Sequence, residues 1–141
     1  ETGLVLVQTS QPKHPVLQWV QQHDYLSFFK QELESRKQFA YPPFSRIIHL
    51  SFKHKFKEVV ERAAHQYAQV LNNKYGNYIV GPATPVIGRI RNQYLMELLL
   101  KLPRNGKLIS QCKKDLLDNI AIMHQEKSFR NVTVMADVDV I

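Results

Sequence analysis

Between Arg46 and Leu71 the apolar residues change their period once, and that change limits the fold more than any other feature of the chain. In Arg46–Lys53 they alternate, with Ile48, Leu50 and Phe52 on one face. In Phe56–Lys74 they step by three and four, so that Val59, Val60, Ala63, Ala64, Tyr67, Val70 and Leu71 form one stripe. Period two marks a strand and period 3.6 a helix. Gly76 and Asn77 stop the helix. A short apolar link, Tyr78–Val80, and the turn-rich segment GPATP follow. Val86–Arg91 and Tyr94–Leu102 then read as a hairpin turning around Asn92 and Gln93. Leu108, Cys112, Leu116 and Ile120 step by four and predict a second helix, Leu108–His124. Val132, Val134, Ala136 and Val138 alternate along a last strand, Asn131–Val140. The order strand, helix, strand, strand, helix, strand predicts an α+β fold of ferredoxin-like βαββαβ topology. Its four-stranded antiparallel sheet carries both helices on one face, through right-handed crossovers.

The segment before this unit has a different character. "YPPF", residues 41–44, forbids helix and marks a domain boundary. Ahead of it, Leu4–Gln8 reads as a strand that is apolar on both faces, the habit of a strand inside a covered parallel sheet. Pro15 opens a short helix, Val16–Gln22. Asp24 caps a second helix, Tyr25 to about Gln38, with Leu26, Phe29 and Leu33 on one side. The ferredoxin-like sheet is complete without Leu4–Gln8, and the chain has no initiator Met. Residues 1–40 are therefore expected to be the tail of a preceding domain, and residues 41–141 a second domain.

Lys and Arg number 19 against 12 acids, a net charge of +7 over 141 residues. Such a balance attracts polyanions, or simply solvates a basic surface. The single cysteine, Cys112, excludes an internal disulfide and a cysteine zinc site, fits a reducing compartment, and reads as a small hydrophobe. No run spans a bilayer and no signal peptide is visible. Phosphate-loop, dinucleotide, nucleophile-elbow and zinc-protease motifs are all missing. The six histidines do not fall at metal-ligand spacing. Asp137 and Asp139 share a strand face and either hold a cation, act as acid and base, or line a solvated edge; with no third ligand or nucleophile in view, the edge is preferred. No catalytic residue, metal or cofactor is expected in this segment.

What remains is positive charge. Arg89 and Arg91 alternate along a predicted strand, Tyr94 follows, and Lys101, Arg104 and Lys107 lie beyond. Lys53, Lys55 and Lys57 gather where the first strand meets its helix. Guanidinium forks suit phosphate, and an aromatic ring offers a stacking surface for an unpaired base. The plainer alternative is that these groups only solubilise strand ends.

The order of motifs resembles the C-terminal end of the bacterial primosomal protein N prime family of replication-restart DNA helicases. The segments that carry the likeness are "GLVLVQTSQPKHP", "DYLSFFKQELESRKQFAYPPFSRI", "GPATPVIGRIRNQYLMELLLK" and "DVDV". The most specific is E-L-x-x-R-x-x-x-x-Y-P-P-F, Glu32 to Phe44. The resemblance implies that residues 1–40 end the second helicase lobe. Residues 41–141 would be a C-terminal domain that binds branched or single-stranded DNA and docks the acidic tail of the single-stranded DNA-binding protein and other primosome proteins. It further implies a cytoplasmic setting, and a parent that uses ATP, magnesium and zinc at sites upstream. Carried over by position, the candidates lie in the segment from Arg89 to Lys101; with the cations read from the sequence itself, nucleic acid would meet Arg89, Arg91, Tyr94, Lys101, Arg104, Lys107, Lys53 and Lys55. The tail would meet Arg89, Gln93, Tyr94, Met96 and Glu97. Many members read R-Y-R-W-Q where this chain reads QYLME, Gln93 to Glu97. Two other readings stay open: a docking module that braces the helicase lobes, and a ribosomal-type RNA-binding domain.

Overall fold

The computed structural model describes residues 3–139. The chain divides into two compact units, residues 1–39 and 40–141. In the first, α1 (Pro15–Gln21) and α2 (Tyr25–Gln38) form as the cap signals predict. The Asp24 carboxylate accepts from Ser27 N–H at 3.1 Å, and Pro15 opens α1. Neither helix buries a residue fully. The strand expected at Leu4–Gln8 does not form. Those residues have no regular structure, and Leu4, Val5 and Leu6 are exposed. A strand is stabilised by its neighbours, and no described strand pairs with this one.

The second unit holds β1 (Ser45–His54), α3 (Lys57–Tyr75), β2 (Ile79–Ala83), β3 (Arg89–Ile90), β4 (Gln93–Pro103), α4 (Gly106–Gln125) and β5 (Thr133–Val138). The sheet runs β2-β4-β1-β5, with the short β3 also paired to β4, and all pairings are antiparallel. This is the ferredoxin-like order, and the α+β expectation holds. The sheet departs from expectation in its second strand. Residues 79–83, expected to be link and loop, form the edge strand β2, whereas of Val86–Arg91 only Arg89 and Ile90 pair. A bulge between Val80 and Ala83 hides β2 from a search for strict alternation. Gly81 sits in that bulge at φ +103°, where a Cβ would come within 3.0 Å of the Glu97 carbonyl oxygen. Only glycine adopts that geometry easily so close to the next strand. Val140 lies outside the described residues.

Alternation decides what each face does. Ile48, Leu50 and Phe52 of β1 and Met96, Leu98, Leu100 and Leu102 of β4 point to the helices and join one core with Val60, Ala63, Tyr67, Leu71, Cys112 and Leu116. The Tyr67 hydroxyl donates to the Leu116 carbonyl at 2.8 Å and ties α3 to α4. Burial pushes the Cys112 thiol up to about 11, so it is an inert hydrophobe as expected. A second tie joins the helices at the surface. The Asp115 carboxylate accepts from Lys74 Nζ at 2.5 Å, the Tyr75 hydroxyl at 2.6 Å and Gln111 Nε2 at 2.7 Å.

These donors, Lys74 foremost, hold the Asp115 carboxyl at about 2 instead of the ordinary 3.8. A depressed folded-state value stabilises the fold above pH 3.8 and ceases to do so as pH falls through about 2. The stability difference between parent and Asp115→Asn, read as urea midpoints, is expected to be largest above pH 3.8 and to shrink towards pH 2. A difference that stays constant across that range would show that the carboxylate charge is not what joins the helices.

Candidate nucleic-acid interface

The β1–β4 register places the candidate cations. It runs from Ser45 opposite Pro103 to His54 opposite Tyr94. Lys53 and Lys55 therefore leave β1 at the end of the sheet where β3 and β4 turn. Lys101, Arg104 and Lys107 belong to the opposite end. Eight residue steps separate Gln93 from Lys101, roughly 25 Å of strand at ~3.3 Å per residue. Sequence order groups Arg89, Arg91, Tyr94, Lys101, Arg104 and Lys107 as one patch and Lys53, Lys55 and Lys57 as another, but the register puts Lys53, Lys55, Arg89, Arg91 and Tyr94 at one rim and Lys101, Arg104 and Lys107 at the other.

At the hairpin end, Arg89 lies directly opposite Tyr94, and its guanidinium sits 4.9 Å from the ring centroid. Arg89 also donates to the side-chain oxygen of Asn92. The turn is Arg91-Asn92, not Asn92-Gln93. Both residues take positive φ, 46° and 62°, as a two-residue hairpin turn of the primed type requires. Arg91 is thus outside the strand and does not share a face with Arg89 by alternation; it projects from the tip of the turn. Lys53 emerges on the face away from the helices, opposite Leu95 and Thr133. Lys55 lies 5.0 Å over the Phe56 ring. Arg130 is a further exposed cation here, three residues before Thr133, the partner of Lys53 in β5. It escapes a reading of the sequence because only the β1–β5 pairing brings it near.

At the far end, Lys101 lies 4.1 Å over the ring of Tyr41, a residue of the YPPF segment. Arg104 and Lys107 flank Asn105, whose side chain caps α4 by accepting from Leu108 N–H at 3.1 Å.

The expected docking residues divide in the same way. Gln93 is exposed at the start of β4. Met96 is 4% exposed and packs in the core, where its sulfur accepts from the Thr84 hydroxyl at 3.4 Å. It cannot line a surface pocket, because its position in β4 points to the helices. Glu97 points to the open face beside His49, with 3.5 Å between Oε1 and Nε2. Asp137 lies opposite His49 in β5, so the centre of the open face carries acids. No open-face position of β1, β4 and β5 is Phe, Tyr or Trp, and the His49 imidazole lies beside Glu97. The face lacks the large rings on which a sheet of this type stacks single-stranded bases.

The paired carboxylates also resolve. Asp137 belongs to β5, while Asp139 lies past its end at φ 55°. Asp139 accepts from Ile47 N–H at 3.0 Å and from the Arg46 guanidinium, and its own N–H donates to the Ile47 carbonyl at 2.8 Å. It is a clasp on β1, and the two carboxylates do not share a strand face. Among the described residues no group of three or more His, Cys, Asp or Glu could hold a metal, and no helix is long and apolar enough to cross a membrane.

Comparison with known proteins gives one consistent answer. The family described as Primosomal protein N C-terminal domain matches residues 37–141. The chain is 31% identical over 141 residues to "Replication restart protein PriA" of Treponema pallidum, covering 99% of this chain and 20% of that protein. It is 36% identical over 111 residues to the protein of that name in Synechocystis, covering 77% of this chain and 13% of the relative. With the Bacillus subtilis protein of the same name it shares 28% over 141 residues, covering 97% and 16%. The chain thus spans a fifth or less of these relatives.

The clasp yields a direct test. Asp139→Ala leaves the Ile47 N–H without its side-chain acceptor and is expected to cost about 1–3 kcal/mol of unfolding free energy. Asp139→Asn keeps an acceptor oxygen, loses only the ion pair with Arg46, and should cost less. Urea titration of the three proteins gives the order, and an alanine variant as stable as the parent would show that the clasp is unused.

Proposed function

This chain belongs to the primosomal protein N C-terminal domain family, and on that premise we propose that residues 40–141 are a non-catalytic DNA-binding and partner-docking module of a replication-restart helicase. The observation that carries the reading is that Lys53, Lys55, Arg89 and Arg91 share one rim of the sheet, Arg89 over Tyr94 on the helix side and Lys53 on the open side. A guanidinium held over a ring keeps its donors in plane for phosphate oxygens, and the ring edge remains near the DNA. Lys101, Arg104 and Lys107 form a second contact at the far rim. A strand of B-DNA rises about 3.4 Å per step, so the ~25 Å between the rims corresponds to about seven steps. A branched substrate with two arms suits two separated contacts.

Residues 1–39 are read as the end of a helicase lobe. In support, α1 and α2 bury no residue and expose Tyr25, Leu26 and Phe29. ATP, magnesium and zinc would be held elsewhere in such a parent. The residues here do not fit a cysteine zinc site, since the one cysteine, Cys112, is enclosed in the core. Other partners would be primosome proteins and the acidic tail of the single-stranded DNA-binding protein. With Met96 in the core, a tail docking near Gln93 and Tyr94 would meet Glu97 on the same strand.

Two measurements test this assignment. In a log–log plot of fork-DNA affinity against salt, the slope becomes shallower by about 0.9 for each phosphate deprived of its cation. The variant Lys53→Ala/Arg89→Ala/Arg91→Ala should therefore bind more weakly with a shallower slope, as should Lys101→Ala/Arg104→Ala/Lys107→Ala for its own rim. An unchanged slope in the first variant refutes the rim assignment, and preference for folded RNA over fork DNA would favour the ribosomal-type reading. For the tail, Glu97→Gln is expected to tighten binding of an acidic, hydrophobic-ended peptide in calorimetry, because like charges at an interface oppose association. No change would place the tail away from β4.

A further inference from the structure

The strongest feature outside the cation clusters is the loop between β2 and β3. Val86 is fully exposed, Ile87 is 64% exposed and Ile90 is 48% exposed. Single exposed aliphatics are ordinary, but two adjacent ones at the tip of one loop, with a third two residues past its neck in β3, are not. The projection has a firm neck. Thr84 and Gly88 touch across it, since a Cβ on Gly88 would lie 2.8 Å from Thr84 Cγ2. The Thr84 hydroxyl donates to the Met96 sulfur at 3.4 Å, and Leu95 N–H donates to the Gly88 carbonyl at 3.0 Å. Both legs are thus fastened to β4, and the half-buried Pro85 leads into a tip of exposed Val86 and Ile87.

Charge selects the occupant. Arg89 opens β3 with only Gly88 between it and Ile87, and Arg91 begins the adjoining turn, so an apolar point lies beside cations in the chain. A lipid surface or an apolar protein groove does not require that flank. A nucleic acid does, because it offers the apolar face of a base pair beside a phosphate chain. Aliphatic and proline side chains enter DNA as wedges, and the cost is unstacking. That cost is lowest where a base-pair face is already uncovered. Resting on the DNA-binding reading above, we propose that Pro85, Val86 and Ile87 form an apolar wedge that packs on the terminal base pair at a junction between duplex and single strands, while Arg89 and Arg91 hold the flanking phosphates.

The experiment uses the full 141-residue chain, a forked DNA with 2-aminopurine in the junction base pair, and a dumbbell duplex whose ends are closed by loops. The dumbbell matches the fork in phosphates but offers no open base-pair face. The parent is expected to bind the fork about tenfold tighter than the dumbbell and to raise the 2-aminopurine fluorescence. Val86→Ser/Ile87→Ser changes only exposed side chains. It should keep the thermal midpoint, the dumbbell affinity and the salt slope, yet lose the preference and the fluorescence rise. A variant that retains the fork preference overturns the wedge, as does a parent that binds both DNAs equally. Both outcomes leave the phosphate-binding reading standing. A parent that binds neither DNA overturns both.

Discussion

The ladder between β1 and β4 is the constraint on which the second unit depends. β4 also pairs with β2 and β3, so its register sets the position of three other strands at once. A slip of one residue would exchange its two faces. Met96, Leu98, Leu100 and Leu102 would then leave the core, and Glu97 and Lys101 would enter it. Burying an unpaired charge costs far more than exposing a leucine. The two charges therefore act as register pins in a strand whose other residues are nearly all apolar. The same register aligns Lys53 with the β3–β4 hairpin and sends Lys101 to the other end. Packing against α3 and α4 and the layout of the candidate interface follow from one alignment.

Much of this was legible in the chain because most elements have one clean period. β1, α3, α4 and β5 lie within a few residues of their expected bounds, and α2 matches from Tyr25 to Gln38. β2 was not legible. Its five residues contain Gly81 and Pro82, which read as a turn, and its pairing is broken by a bulge. Edge strands need only one partner and tolerate such breaks. The hairpin turn was displaced by one residue because Asn92 is a turn former wherever it falls in the pair. That single step moved Arg91 from a strand face to the turn. Met96 was misplaced for a different reason. Tyr94–Leu102 is apolar on both faces, so composition alone does not say which set is inside. The parity of Glu97 and Lys101 does say it, and Met96 lies on the opposite parity to both. Leu4–Gln8 shows the reverse error. Its residues have strong strand character, yet nothing described lies alongside to receive their hydrogen bonds.

Asp139 shows how a motif can be visible while its role is not. Two aspartates spaced by one residue look like a pair acting on one face. The chain leaves β5 after Val138, and the positive φ of Asp139 turns its carboxylate back onto β1. There it joins the Ile47 amide and the Arg46 side chain. Asp137 remains on the open face across from His49. One of the two carboxylates is thus used for cohesion, and the other contributes charge to a surface.

That surface charge bears on how a polyanion can lie on the domain. A path straight across the open face, from the hairpin rim to Lys101, would run over Glu97 and Asp137. Carboxylates repel phosphate, and over short distances little salt screening intervenes. No Phe, Tyr or Trp of β1, β4 or β5 on that face compensates by stacking. The favourable positions are therefore the two rims, where Arg89 lies beside the start of β4 and Arg91 beyond it on one side, and Arg104 and Lys107 lie beyond its end on the other. A net charge of +7 does not spread evenly over this domain. It is sorted to the ends of the strands, because the middle of each strand is occupied by residues that pack or pair with neighbours. If the proposed DNA binding holds, two cationic rims separated by an acidic centre would select against one long duplex lying flat and would favour a substrate that reaches the two ends by different arms.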